Sequence, residues 1–108
     1  MTFNEYQKLA CSTAIYPQSE RIKYPALGLA GEVGEVCNEV KKIYRDDAGT
    51  LTTERIEALR KELGDVLWYV ANLAADLCLD LDTIAVMNIQ KLQDRQSRGV
   101  LKGQGDKR

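Results

Sequence analysis

Ile56, Leu59, Leu63, Val66, Val70, Leu73 and Leu77 recur at alternating intervals of three and four, with no proline in the run. That period is one face of an α-helix and cannot be the alternation of a strand, so the middle of the chain is a long helix. The remainder reads the same way, with two prolines in all, no Asn-Gly or Asp-Gly dipeptide and no alternating apolar run. Thr2 and Glu5 form a capping box opening a first helix that ends before Pro17, and Tyr16 to Tyr24 is a polar connection. Pro25 suits the first position of a second helix running to about Arg45, where Asp46-Asp47-Ala48-Gly49 breaks it. Thr52 or Thr53 caps the third helix, and Asp80 or Asp82 caps a fourth that ends near Gly99. The expectation is one all-α, four-helix bundle-like domain over residues 1–108, with its core in 25–99 and a flexible tail in 100–108. A chain of this length buries only about two-thirds of its unfolded surface. The third helix also has apolar residues on more than one side, so subunit packing, as a dimer or a dimer of dimers, is expected.

There is no histidine. A Ser-His-Asp triad, a His-ligated zinc, a carboxylate-His di-iron pair and an imidazole acid or base are thereby excluded. Cys11, Cys37 and Cys78 are odd in number and widely spaced, which predicts free thiols in a reducing cytoplasm. No basic region followed by an apolar core opens the chain, so no secretory signal is expected. The longest apolar stretch, Val66 to Leu79, contains Asn72 and Asp76 and is too short to span a bilayer. Net charge is −1, but residues 1–25 sum to +1, residues 26–90 to −6 and residues 91–108 to +4. Duplex binding needs a continuous basic face, so nucleic acid is not the expected partner. A cation site in the middle and anion contacts near the end fit this distribution better.

Glu32, Glu35 and Glu39 share one face of the second helix, where like charges repel. On the third helix Glu62, Asp65, Tyr69, Asn72 and Asp76 step by three and four into a polar stripe without a cation, which reads as a lined cavity. Gly28, Gly31 and Gly34 fall every third residue, each costing about 0.8–1 kcal/mol in a helix interior, which a close backbone or ligand would offset. Gly64 repeats the pattern between Glu62 and Asp65. Bringing the two helices together makes Glu32, Glu35, Glu62 and Asp65 meet, and four converging carboxylates need a cation to stay ionised. Oxygen ligands without His or Cys select Mg²⁺, with Mn²⁺ as substitute, and Mg²⁺ so held commonly shares its sphere with substrate phosphate.

At these residues the chain resembles the MazG-like, all-α nucleoside triphosphate pyrophosphohydrolases. Glu32-Val33-Gly34-Glu35, a gap of 26 residues and Glu62-Leu63-Gly64-Asp65 match the E-x-x-E…E-x-x-D signature. Gly28-Leu29-Ala30-Gly31, Lys41-Lys42, Asp65 to Tyr69 and the run Asn88 to Arg95 are similar too, so the resemblance covers roughly residues 25–99. It implies Mg²⁺-dependent cleavage of the α–β phosphoanhydride of a (d)NTP to the monophosphate and pyrophosphate, as nucleotide-pool housekeeping. Carried over, Glu32, Glu35, Glu62 and Asp65 hold the metal, and Glu35 also orients or deprotonates the attacking water. Asn88, Lys91 and Arg95 share one face of the fourth helix and suit triphosphate oxygens, a solvated basic face being the other reading. Tyr69 and Asn72 are expected to donate to phosphate or sugar, with core packing as the alternative for Tyr69. Trp68 is expected in the core or at a subunit contact, while Tyr6, Tyr16, Gln18 and Tyr24 are candidates for the base. The tail either closes over phosphates or is a loose end.

Two other readings compete. Arg60 to Asp65 faintly echoes the Nudix box, but the adjacent Glu pair and the strands that fold requires are missing. A non-catalytic helical dimerisation module that keeps the acidic cluster for metal is the second. Such a module would be expected to have lost a carboxylate, and all four are present.

Overall fold

A computed structural model describes residues 1–108. It is all-helical: α1 (Phe3–Ser12), α2 (Lys23–Asp46), α3 (Thr53–Asp76) and α4 (Leu81–Ser97), with a 3-10 turn at Gln18–Glu20. Three helices begin where a short polar side chain takes up an otherwise unpaired N–H. Thr2 Oγ1 accepts from Glu5 N at 3.0 Å, Thr52 Oγ1 from Arg55 N at 3.2 Å and Asp80 Oδ1 from Thr83 N at 2.8 Å. Helix α2 has no such cap and starts at Lys23, two residues before the proline expected to open it. Pro25 is tolerated there because first-turn N–H groups have no intrahelical acceptor.

The residue before α2 is Ile22, at φ 70° and ψ −60°. With Lys23 N donating to Arg21 O at 2.7 Å, this is a γ-turn of the strained hand, unusual for a β-branched residue. A distant side chain holds it. Asp76, at the end of α3, accepts from Ile22 N at 2.9 Å and from the Tyr16 hydroxyl at 2.8 Å.

Helices α2 and α3 form an antiparallel hairpin, α1 lies on α3, and α4 packs chiefly on α1. Ala10, Ala71, Ala74 and Leu81 make the central cluster, with Tyr6, Trp68 and Val70 against it. Buried Gln7 ties α1 to the α3–α4 turn: its Nε2 donates to Ala71 O at 3.1 Å and Leu79 O at 3.0 Å, and its Oε1 accepts from Leu81 N at 3.2 Å. At the other end of the hairpin Arg55 reaches Glu39 at 3.2 Å and Asp47 at 2.7 Å.

The apolar face expected to point inward on α3 is only partly covered. Ile56, Leu63 and Leu77 are 42, 56 and 47% exposed, whereas the buried residues of the helix are Ala71, Asn72 and Ala74. Two neighbours, α1 and α2, leave the rest of the helix open. The whole chain shares this openness, with a radius of gyration of 16.9 Å where about 13 Å is usual for its length. Its accessible surface is 7782 Å² against roughly 6,000 Å² for a compact monomer of this mass.

Candidate functional site

Glu32 from α2 and Glu62 and Asp65 from α3 each offer a carboxylate oxygen, all within 4.8 Å of one another. Hairpin packing creates this meeting, since Glu32 on α2 faces the Glu62–Asp65 pair on α3. Burial pushes the Glu32 carboxyl above its ordinary 4.5, helped by the Asp65 charge, a hydrogen bond with Glu62 and the charges of Glu62 and Glu35. Three hard oxygen donors with one carboxyl held reluctant to ionise fit a small divalent cation, which would replace the proton.

Glu35 stands outside the cluster and is exposed. A three-residue step rotates it about 60° around α2 relative to Glu32. A Cβ placed on Gly34 or Gly64 would meet nothing within 4 Å, so the helix surface beside Glu35 is open. Its charge still reaches Glu32. Glu39, on the same face, is taken up by Arg55 at 3.2 Å and Lys42 at 3.4 Å.

A cavity of roughly 270 Å³ adjoins the carboxylates, lined by Glu32, Asp65, Trp68 and Tyr69. Trp68 therefore does more than pack on the core: it borders the site, with Nε1 donating to Thr13 Oγ1 at 2.7 Å. Its spacing of three from Asp65 was the signal available in the sequence. The Tyr69 ring lies so close to Gly28 that any Cβ there would overlap it. For Gly28 the compensating close approach is thus an aromatic ring, while Gly31, Gly34 and Gly64 face open space. Tyr69 continues a row in which Tyr16 stacks on Tyr24 at 4.8 Å, Tyr24 tilts toward Tyr69 at 6.4 Å, and Tyr69 meets Trp68 edge-on at 4.9 Å. Burial, then Tyr24 and the carboxylates, raise the Tyr69 phenol, which keeps it a hydrogen-bond donor.

Other expected substrate residues lie elsewhere. Asn72 is 2% exposed and donates to Trp68 O at 3.1 Å, one turn back in its own helix, so it faces no substrate. Asp76, last of the polar stripe, is the latch on Ile22 and Tyr16. Asn88 and Lys91 line a different cavity of about 630 Å³ along α4, which shares no residue with the carboxylate cavity. Arg95 is buried and donates to the backbone oxygen and carboxylate of Asp106 at 2.8 and 3.1 Å. Within one chain the basic face of α4 does not meet the acidic cluster, because α4 rests on α1. The tail folds back on α4, where Lys91 and Arg95 both donate to Asp106.

The carboxylate pairs on a helical hairpin agree with comparison to known sequences. The family model of the MazG nucleotide pyrophosphohydrolase domain matches residues 22–100, and the chain belongs to that family. It is also similar to the Gene 37 protein of Mycobacterium phage L5, 49% identical over 109 residues that span 95% of this chain and 96% of the phage protein. No solved structure matches. No helix is long and apolar enough to cross a membrane.

Proposed function

We propose that the protein is a Mg²⁺-dependent nucleoside triphosphate pyrophosphohydrolase that cleaves the α–β phosphoanhydride of (d)NTPs, releasing the monophosphate and pyrophosphate. The observation that carries this reading is the convergence of Glu32, Glu62 and Asp65 across the hairpin in a chain of this family. Those three residues would hold the ion, with Mn²⁺ as a substitute. When bound, it would offset the triphosphate's negative charge and lower the barrier to attack on phosphorus. Glu35, exposed beside the cluster, would accept a proton from the attacking water. Tyr69 donates toward phosphate or sugar from the cavity wall. Tyr16 and Tyr24, stacked behind it, extend the aromatic surface that Trp68 and Tyr69 begin at the cavity and would take the base.

Asn88, Lys91 and Arg95 complete the site by binding phosphate oxygens, and we propose that a second copy of the chain brings them to the carboxylates. The separate cavities in one chain and the excess exposed surface support this. Chromatographic product analysis with the eight canonical NTPs and dNTPs and Mg²⁺ tests the reaction. Monophosphate plus pyrophosphate is expected; diphosphate plus phosphate, or no turnover, would overturn it. Glu62→Gln should lower kcat by at least about a hundredfold, as expected for removing a charged metal ligand. Complementation tests the second copy. Mixing inactive Glu62→Gln with inactive Lys91→Glu chains should restore part of the activity, and no recovery would place both halves of the site in one chain.

A further inference from the structure

Asp106 meets the two cations of α4 with the geometry of a bound anion. Its Oδ1 lies 2.8 Å from Lys91 Nζ and 3.1 Å from an Arg95 nitrogen, and its backbone oxygen accepts from that same nitrogen at 2.8 Å. Arg95 is 5% exposed and its guanidinium makes no other hydrogen bond, so this one residue neutralises it. A built loop presents Asp106. The chain turns at Gly103 and Gly105, both at positive φ, and the Arg108 side chain closes the loop by donating to Val100 O and Leu101 O at 3.2 Å and to Gly105 O at 2.6 Å. Arg98 donates to the backbone oxygen of Arg108 at 2.6 Å. The Asp106 side chain is itself 80% exposed, and it forms one wall of the α4 cavity beside Lys91.

We propose that Asp106 is an internal competitor for the phosphate groups of the ligand: the C-terminal loop occupies the Lys91–Arg95 anion site with a carboxylate, and an oligophosphate must displace it to bind. This rests on the reading of Lys91 and Arg95 as phosphate ligands. The balance of strengths favours displacement. A carboxylate so exposed, paired through one oxygen, holds its partners weakly, by no more than about a fivefold bias in equilibrium. A triphosphate brings three to four charges and several acceptor oxygens to the same two donors. Neighbouring charge permits it, since Asp94 on the same helix is turned to Arg98 at 2.9 Å and does not compete. The loop therefore lowers the apparent affinity of every anion for this site by up to about that factor.

Inorganic tripolyphosphate, titrated calorimetrically into the full chain at low salt without divalent ions, reads the competition directly. Asp106→Asn should bind it about two- to fivefold more tightly than the unaltered chain. Arg108→Ala, which unties the loop without touching Lys91, should show a gain of the same sign. Placing Lys91→Ala beneath Asp106→Asn should erase the gain. Affinity unchanged or weakened in Asp106→Asn would overturn the proposal, as would saturating tripolyphosphate that leaves tryptic cleavage after Lys102 no faster. The outcomes separate from those of the hydrolase reading. A chain that turns over no nucleotide but shows the Asp106→Asn gain keeps the competitor and loses the hydrolase; a chain that hydrolyses normally without the gain does the reverse.

Discussion

Cys78 and Gly99 occupy the same place in two helix endings and differ in what the place costs. After α3, Leu79 N donates to Ala74 O at 2.8 Å with Cys78 at φ 59°; after α4, Val100 N donates to Arg95 O at 2.9 Å with Gly99 at φ 70°. Both bonds close the six-to-one ring that glycine accommodates and a Cβ resists. Cys78→Gly should therefore raise unfolding free energy by about 0.5–1 kcal/mol, measured by urea titration. Gly28 gives the opposite case. Gly28→Ala drives a methyl into the Tyr69 ring and should cost roughly 1–3 kcal/mol, with the near-UV circular dichroism of the aromatic row altered. Sequence alone showed that Gly28, Gly31, Gly34 and Gly64 were expensive, but helix propensity does not say which neighbour comes close. Likewise the 3-4 spacing grouped Glu35 and Glu39 with Glu32, and Asn72 with Glu62 and Asp65. It could not show that Arg55 claims Glu39, or that Asn72 turns back to its own helix, because both depend on what packs opposite.

Helix starts were legible where the signal is local. Thr2, Thr52 and Asp80 cap within three residues of themselves, and each does so here. The entry to α2 was not legible, since its acceptor, Asp76, lies 54 residues away along the chain and forces a conformation that isoleucine disfavours. Gln7 is a similar long-range tie. Gln7→Leu strands the Leu79 carbonyl and the Leu81 N–H and removes a second donor from the Ala71 carbonyl, and should destabilise the fold by roughly 2–4 kcal/mol in denaturant titration. The α2–α3 pairing also makes a pH prediction. Because the folded chain holds Glu32 above its ordinary 4.5, it binds more protons than the unfolded chain just above that pH, and metal-free stability falls as pH rises through the window. Thermal melts in EDTA should show this loss in the unaltered chain and not in Glu32→Gln. Added Mn²⁺ should reverse it, since the ion takes the place of the proton. The lowered carboxyls of Asp80 and Asp106 act in the opposite sense and at lower pH, below their ordinary 3.8.

As a whole, the molecule is wider than one small core can explain. Leu27, Leu63, Val86, Met87 and Ile89 are each more than half exposed, and the excess over a compact monomer is of the order a subunit buries in a large interface. Sedimentation equilibrium should return at least about twice 12.1 kDa, and Leu63→Asp should lower that mass without removing the helical signal. The all-α class and the carboxylate pairs could be read from residue spacing because period and local chemistry determine them. The separation of the α4 cations from those carboxylates could not, since it follows from α4 packing on α1.

The hairpin is fastened at both ends, by Arg55 on Glu39 and Asp47 near its turn and by Asp76 on Ile22 and Tyr16 at its open mouth. Two rails pinned so resist scissoring, which steadies the gap spanned by Glu32, Glu62 and Asp65. For the divalent ion proposed there, selection between a small ion with ligands at about 2.1 Å and a larger one at about 2.4 Å would reside in the fasteners as much as in the carboxylates. Loosening the mouth with Asp76→Ala should accordingly appear as Ca²⁺ competing more successfully with Mg²⁺, at a distance from every atom that touches either ion.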